Sequence, residues 1–219
     1  MSDDIAKRRA DETQSILTAC HAILENDHFV YISGDHGSGW IDKDAIFIDP
    51  KRVDHLASML AEAVRPIDAE VVCGPATGGL IVAQWTAHAL GLPAVFAEHE
   101  ASPDFGQLRG RFVLRRGYDH LVAGRRVLVV DDIVNSGHSV RQTVEAVRRA
   151  RGHVTTVAAL VHRGNVDTVG IGVSRYIYSL ETDIPEWSAA DCPLCGQGVP
   201  VNTQYAHGQD FLDTRQDQL

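Results

Sequence analysis

Between residues 70 and 161 the chain repeats one pattern, a short apolar strand, a glycine-rich turn and a helix. EVVC (70–73) leads into GPATGG and the apolar LIVAQWTAHAL, which Gly91 stops. PAVFA (93–97) is a second strand and RVLVV (126–130) a third. A helix from Ser139 to Arg151 follows, with Val140, Val144 and Val147 inward and Gly152 at its end, and HVTTVAALV (153–161) is a fourth strand. Strands without polar alternation are buried on both faces. Strand and helix in alternation therefore predict an α/β fold, a parallel sheet flanked by helices.

The ends of the chain fit this rhythm less well and are expected to form a small accessory hood. Ile16, Leu17, Cys20, Ile23 and Leu24 recur at helical spacing. HFVYISGDHGSGWIDKDAIFID reads as short strands turning between Gly34 and Gly39. Asp49-Pro50 opens a helix with Val53, Leu56, Ala57, Leu60, Ala63 and Val64 as its stripe, ended by Pro66. The expected organisation is an N-terminal helical and hood segment (1–66), an α/β core (67–165) and a C-terminal hood and tail (166–219).

Several classes are disfavoured. A formal net charge of -9 argues against a broad nucleic-acid surface, though not against a local anion site built from amides and a few arginines. No apolar run approaches the roughly 20 residues a membrane helix needs, and MSDDIAKRRADETQ lacks the apolar core of a signal peptide. Four cysteines are too few for a disulfide scaffold, so a cytoplasmic setting is expected.

The densest chemical signal is VLVVDDIVNSGHSV, residues 127–140. It sets Asp131 and Asp132 at the carboxyl end of a buried strand, where open α/β sheets bind ligands. Asn135, Ser136, Gly137, His138 and Ser139 then open a helix whose unpaired amides and dipole favour phosphate. A generic acidic strand end is the plain alternative. Loop chemistry argues against a nucleoside triphosphatase or a dinucleotide binder: no G-x-x-x-x-G-K-[ST] occurs, and GDHGSG (34–39) has the wrong glycine spacing.

VLVVDDIVNSGHS resembles the phosphoribosyl pyrophosphate motif of type I phosphoribosyltransferases. HFVYISGDHGSGWIDKDAIFIDP, VVCGPATGGLIVA, LRRGYDHLVAGRRV and CPLCGQGVPV are similar to segments of orotate phosphoribosyltransferases, and the likeness covers roughly residues 25–200. It implies the type I phosphoribosyltransferase fold and a Mg²⁺-dependent transfer of 5-phosphoribosyl to a base, orotate first. It further implies that Asp131 and Asp132 meet the ribose hydroxyls and that Asn135 to Ser139 hold the 5-phosphate. Lys43, Ala76, Thr77, Gly78 and Gly79 would hold pyrophosphate, and Arg163 the base. Residues 98–124 would form a loop closing over the substrates, with Arg109, Arg111, Arg115 and Arg116 as its cations. A homodimer is implied in the same way.

Two readings stay open beside this one. NSGHS carries His138 where the family has glycine, and Glu98-His99-Glu100 stands where it has a basic loop cue. Both fit a ligand-binding regulator without turnover, or an acceptor such as a purine. Cys192 and Cys195 form C-x-x-C, half of a tetrahedral zinc set. His207 and Asp210 lie downstream, but without a second cysteine pair a local turn or packed thiols is expected ahead of zinc on Cys192 and Cys195.

Overall fold

In the computed structural model, residues 2–100 and 111–216 are described. In chain order the elements are α1 (Ser2–Ala19), β1 (Ile23–Val30), β2 (His36–Ile41), α2 (Lys43–Phe47), α3 (Pro50–Val64), β3 (Val71–Pro75), α4 (Gly78–Leu90) and β4 (Ala94–His99). They continue with β5 (Phe112–Val113), α5 (Tyr118–Val122), β6 (Arg126–Val134), α6 (His138–Arg149), β7 (His153–Arg163), α7 (Thr168–Ile171), β8 (Arg175–Thr182), β9 (Glu186–Trp187), α8 (Pro193–Gly196) and α9 (Gly208–Gln216).

The chain divides into two compact units, Met1–Ser15 with Phe47–Thr182, and Ile16–Ile46 with Asp183–Leu219. The expected boundaries at 66 and 165 therefore move. Helix α3 joins the larger unit because its apolar stripe packs with the sheet layer, contacting α4, β7 and β8. Strand β8 joins it by extending the sheet.

The larger unit holds a six-stranded sheet in the order β5-β4-β3-β6-β7-β8. All its neighbours run parallel except the short edge strand β5. Strand β3 is buried throughout, and β6 and β7 nearly so, as their unbroken apolar sequences require. Val71, Val127, Val129, Val140, Val144 and Val147 share one core cluster. Each such side chain, fully buried, contributes roughly 1.5–3 kcal/mol. Cys73 belongs to the same cluster, and burial pushes its thiol up to about 12, which makes it a packing residue and not a nucleophile.

Helix α3 starts as its sequence dictates: Pro50 occupies the first turn and the Asp49 carboxylate accepts from the Lys51 amide at 3.0 Å. Its buried stripe uses Ala61 where helical spacing suggested Ala63. Helix α4 ends on Gly91 at φ 71°. The left-handed residue after α6 is Arg151 (φ 63°), one position before the expected Gly152.

The smaller unit holds an antiparallel sheet, β1-β2-β9. Two expectations change here. Ile23 and Leu24 do not continue α1; the chain leaves the helix through His21 at φ 55° and they begin β1. The turn lies at Tyr31–Asp35, where Tyr31 N donates to Asp35 O at 2.8 Å and Gly34 N to Tyr31 O at 2.9 Å. Gly37 and Gly39 are strand residues: a Cβ on Gly37 would enter the Tyr31 ring, whose hydroxyl donates to Gly39 O at 2.7 Å.

Candidate active site

The strand order fixes where a ligand can enter. From β3 the chain crosses to β4 on one side, and from β6 it crosses to β7 on the other. The crevice lies beyond the carboxyl ends of β3 and β6, where the winding reverses. Both glycine-bearing loops singled out in the sequence begin there.

Asp131 and Asp132 are the sixth and seventh residues of β6 and are 5% and 7% exposed. Strand β6 thus runs past the apolar segment, and the acids are held by main-chain amides. Asp132 N donates to Asp131 Oδ1 at 3.0 Å, and Ile133 N donates to Asp132 Oδ1 at 2.8 Å. Burial, and then the neighbouring Asp132 charge, hold the Asp131 carboxyl well above the usual carboxylate range. Such a pair favours a cation, or hydroxyls beside a developing positive charge.

The turn after β3 closes on these acids. Ala76 N donates to Ala97 O at 2.8 Å, and the Ala76–Thr77 peptide bond is cis. Gly78 backs directly onto the Asp132 carboxylate, where a Cβ would collide with it. A Cβ on Gly79 would stand 2.6 Å from Asp131 Oδ1 and strike the Pro75 ring. These two glycines therefore serve a close approach of backbone to carboxylate, where any side chain would intrude.

Beyond the acids, Asp131, Ile133 and the run from Val134 to Val140 line a hollow of about 120 Å³. Gly137, at φ 71° beside Val166, makes the corner from which α6 departs. Ser136, His138 and Ser139 are exposed, and all three line the hollow. Neither α4 nor α6 has a side-chain cap at its first turn, whereas α3 has Asp49. The first-turn amides of both helices therefore receive no bond from their own N-cap residues, an arrangement that suits an anion.

On the other flank, Arg163 ends β7 and is buried. A Cβ on the adjoining Gly164 would stand 2.6 Å from Asn135 Oδ1, which places the end of β7 against the phosphate-loop candidate. Sequence reasoning missed an aromatic wall here. The His162 ring stacks on Tyr178 with centroids 4.9 Å apart, and its Nδ1 lies 3.1 Å from the Tyr176 hydroxyl. Tyr178, Ala159 and Asp131 occupy one row across β8, β7 and β6. Burial raises the Tyr176 phenol, with the charges of Tyr178, Asp131 and Glu181 adding to it. The alternation Arg-Tyr-Ile-Tyr at 175–178 was the signal available.

The acids of the arginine-rich stretch find partners. Arg116 Nη1 lies 2.6 Å and Arg115 Nε 3.6 Å from Glu98 Oε1, while Arg111 Nε lies 2.6 Å from Glu100 Oε2. The hydrogen bond from Arg111 leads the effects lowering the Glu100 carboxyl. Glu98 and Glu100 are thus each paired with an arginine of the same segment. Arg109 lies outside the described residues. Lys43 opens α2 in the smaller unit, where Asp44 approaches it at 3.6 Å. Cys192 and Cys195 also lie in that unit; they meet His28 and His36, while His207 pairs with Asp210 at 3.0 Å.

The phosphoribosyl transferase domain family matches residues 42–171, which span the acids, both loops and Arg163. The chain belongs to the phosphoribosyltransferase family. Orotate phosphoribosyltransferase of Pelotomaculum thermopropionicum is 36% identical over 191 residues, covering 87% of this chain and 94% of its own. That of Thermotoga maritima is 33% identical over 197 residues, covering 89% and 98%. Among solved structures, orotate phosphoribosyltransferase from Aeropyrum pernix superposes with a TM-score of 0.62 at 25% identity, covering 76% of this chain and 92% of its own. The Mycobacterium tuberculosis H37Rv enzyme in complex with 5-phospho-alpha-D-ribosyl 1-diphosphate shares the fold, with a TM-score of 0.56 at 24% identity over 79% and 95%. In this phosphoribosyltransferase the mostly parallel sheet and flanking helices are those of the type I fold. Among the described residues, no helix is long and apolar enough to cross a membrane.

Proposed function

We propose that this enzyme transfers the 5-phosphoribosyl group of phosphoribosyl pyrophosphate to orotate, releasing pyrophosphate, in pyrimidine nucleotide synthesis. The observation that carries the reading is the apposition of the Asp131–Asp132 pair to the Gly78–Gly79 turn, with an anion hollow opening beside it. One end of a pentose diphosphate ester requires such a hollow, the other requires such a turn, and the hydroxyls between them require acceptors. The curated relatives at 33–36% identity supply orotate as the acceptor.

In this reading Asn135, Ser136, Gly137, His138 and Ser139 hold the 5-phosphate on the amino end of α6. Ala76, Thr77, Gly78 and Gly79 present amides to pyrophosphate. The carbon–oxygen bond to pyrophosphate breaks as the base nitrogen bonds to the anomeric carbon from the opposite face. Positive charge grows on the ribose meanwhile, and Asp131 and Asp132 stabilise it. Arg111, Arg115 and Arg116 are the described cations of the arginine-rich segment that would meet the departing anion. Two buried carboxylates suit a hard divalent cation, and Mg²⁺ carried with the donor would neutralise charge on the leaving group. Arg163 faces the orotate carboxylate.

Pyrophosphate release from the donor, with Mg²⁺ and a panel of orotate, uracil, adenine, guanine and xanthine, tests the acceptor. Turnover is expected with orotate, and turnover only with a purine would replace it. Donor binding by calorimetry without turnover on any base would favour the regulator reading. Arg163→Ala is expected to raise the KM for orotate on the order of 10²-fold while leaving the donor KM within a few-fold. Equal changes in both would remove Arg163 from the base side. A cytoplasmic homodimer completes the proposal, supported by the family resemblance; light scattering reads the oligomer directly.

A further inference from the structure

We infer that the smaller unit holds a structural zinc ion on His28, His36, Cys192 and Cys195, separate from the transfer chemistry. The four residues come from β1, from the start of β2 and from the turn around α8, with more than 150 residues between the histidine and cysteine pairs. Their ligand atoms all lie within 4.8 Å of one another, and His28, His36 and Cys192 are buried.

The geometry is that of a single four-coordinate ion. Cys192 Sγ is 3.5 Å from His28 Nε2, and Cys195 Sγ is 3.8 Å from the same atom and 3.4 Å from His36 Nδ1. Tetrahedral zinc with ordinary bond lengths sets nitrogen and sulfur ligands about 3.6 Å apart. The two imidazole nitrogens are 2.8 Å apart, so the ion spreads them towards the about 3.3 Å of a tetrahedral edge. A two-iron cluster would part the cysteine pair from the histidine pair, whereas here the four donors interleave.

The surroundings support ligation. His28 Nδ1 lies 2.8 Å from Val199 O. Donation to that carbonyl fixes the tautomer with the Nε2 lone pair facing the sulfurs, the usual support for a ligating histidine. The Phe211 ring lies edge-on to His36 at 5.1 Å and contributes an apolar cover. Two thiolates and two neutral imidazoles cancel the charge of one Zn²⁺, which suits a buried position. Binding would release the thiol protons. The ion would clasp the C-terminal segment to the β1–β2 hairpin, a role metals take in units with small cores.

Metal analysis of the full chain purified without chelator is expected to give about one zinc per chain. Cobalt exchange into the wild-type chain should give tetrahedral d–d bands with a thiolate charge-transfer band. The pair Cys192→Ser and Cys195→Ser should abolish both signals, and His207→Ala should keep them. Stripping the metal should lower the unfolding midpoint by roughly 5 °C or more. Should the serine variants fail to fold, the wild-type cobalt spectrum still decides. Substoichiometric zinc at micromolar free metal, a cobalt spectrum without thiolate character, or a Cys192–Cys195 disulfide in reductant-treated protein would overturn the assignment.

Discussion

Asp132→Asn is expected to lower kcat on the order of 10²-fold while the donor KM stays within a few-fold and the fold survives. Asparagine keeps the Oδ1 that accepts from the Ile133 amide at 2.8 Å and fills nearly the same space beside Gly78. What it removes is charge. A carboxylate opposite a ribose that becomes cationic only on the way to the transition state stabilises that state more than the bound donor. The loss therefore falls on kcat and kcat/KM alike. Steady-state kinetics with a thermal melt as control reads the result; a variant retaining a third of wild-type kcat would show that this acid is packing and not chemistry.

Gly78→Ala should produce a loss of similar size by a different route. A Cβ at this position collides with the Asp132 carboxylate, which is fixed by β6 and cannot swing away as a surface side chain would. Either the acid rotates out of the crevice or the turn after β3 lifts. Both separate the sugar-facing acids from the amides offered to pyrophosphate, a misplacement that costs about 10²-fold in kcat/KM, near 3 kcal/mol. Overpacking of a site this tight also costs roughly 1–3 kcal/mol of stability, a drop of several degrees in melting midpoint. An alanine variant matching wild type in kcat/KM would mean that the close approach is incidental.

The parts of the fold legible in the sequence were those decided locally. An unbroken apolar run, two acids and a small polar loop state strand, crevice and helix start within 14 residues. Asp49-Pro50 states a helix start within two. The larger misreadings involve a partner outside the local run. Ile23 and Leu24 keep helical spacing by coincidence, and only pairing with Ile41 and Trp40 makes them strand. Gly37 looked like a turn residue because glycine more often permits bending than the seating of a tyrosine ring. The Cys192–Cys195 pair looked half-built because its complement, His28 and His36, sits at the opposite end of the chain. The wall of His162, Tyr176 and Tyr178 was hidden for the same reason: β7 and β8 meet through a parallel crossover. Local chemistry reveals which residues can hold a phosphate, while long-range pairing decides what stands beside them.

The contrast among helix starts has a consequence for how this protein lives without its substrate. Helix α3 is capped by the Asp49 side chain, whereas the N-cap residues of α4 and α6, Thr77 and Gly137, make no side-chain bond to their first turns. An anion bound at these starts would complete them, so catalytic readiness and conformational integrity would draw on one set of hydrogen-bond donors. Resistance to heat should then track the supply of phosphorylated sugar, gaining about 2.7 kcal/mol at a hundred times its Kd. Substrate abundance in this way becomes a term in the enzyme's own folding equilibrium.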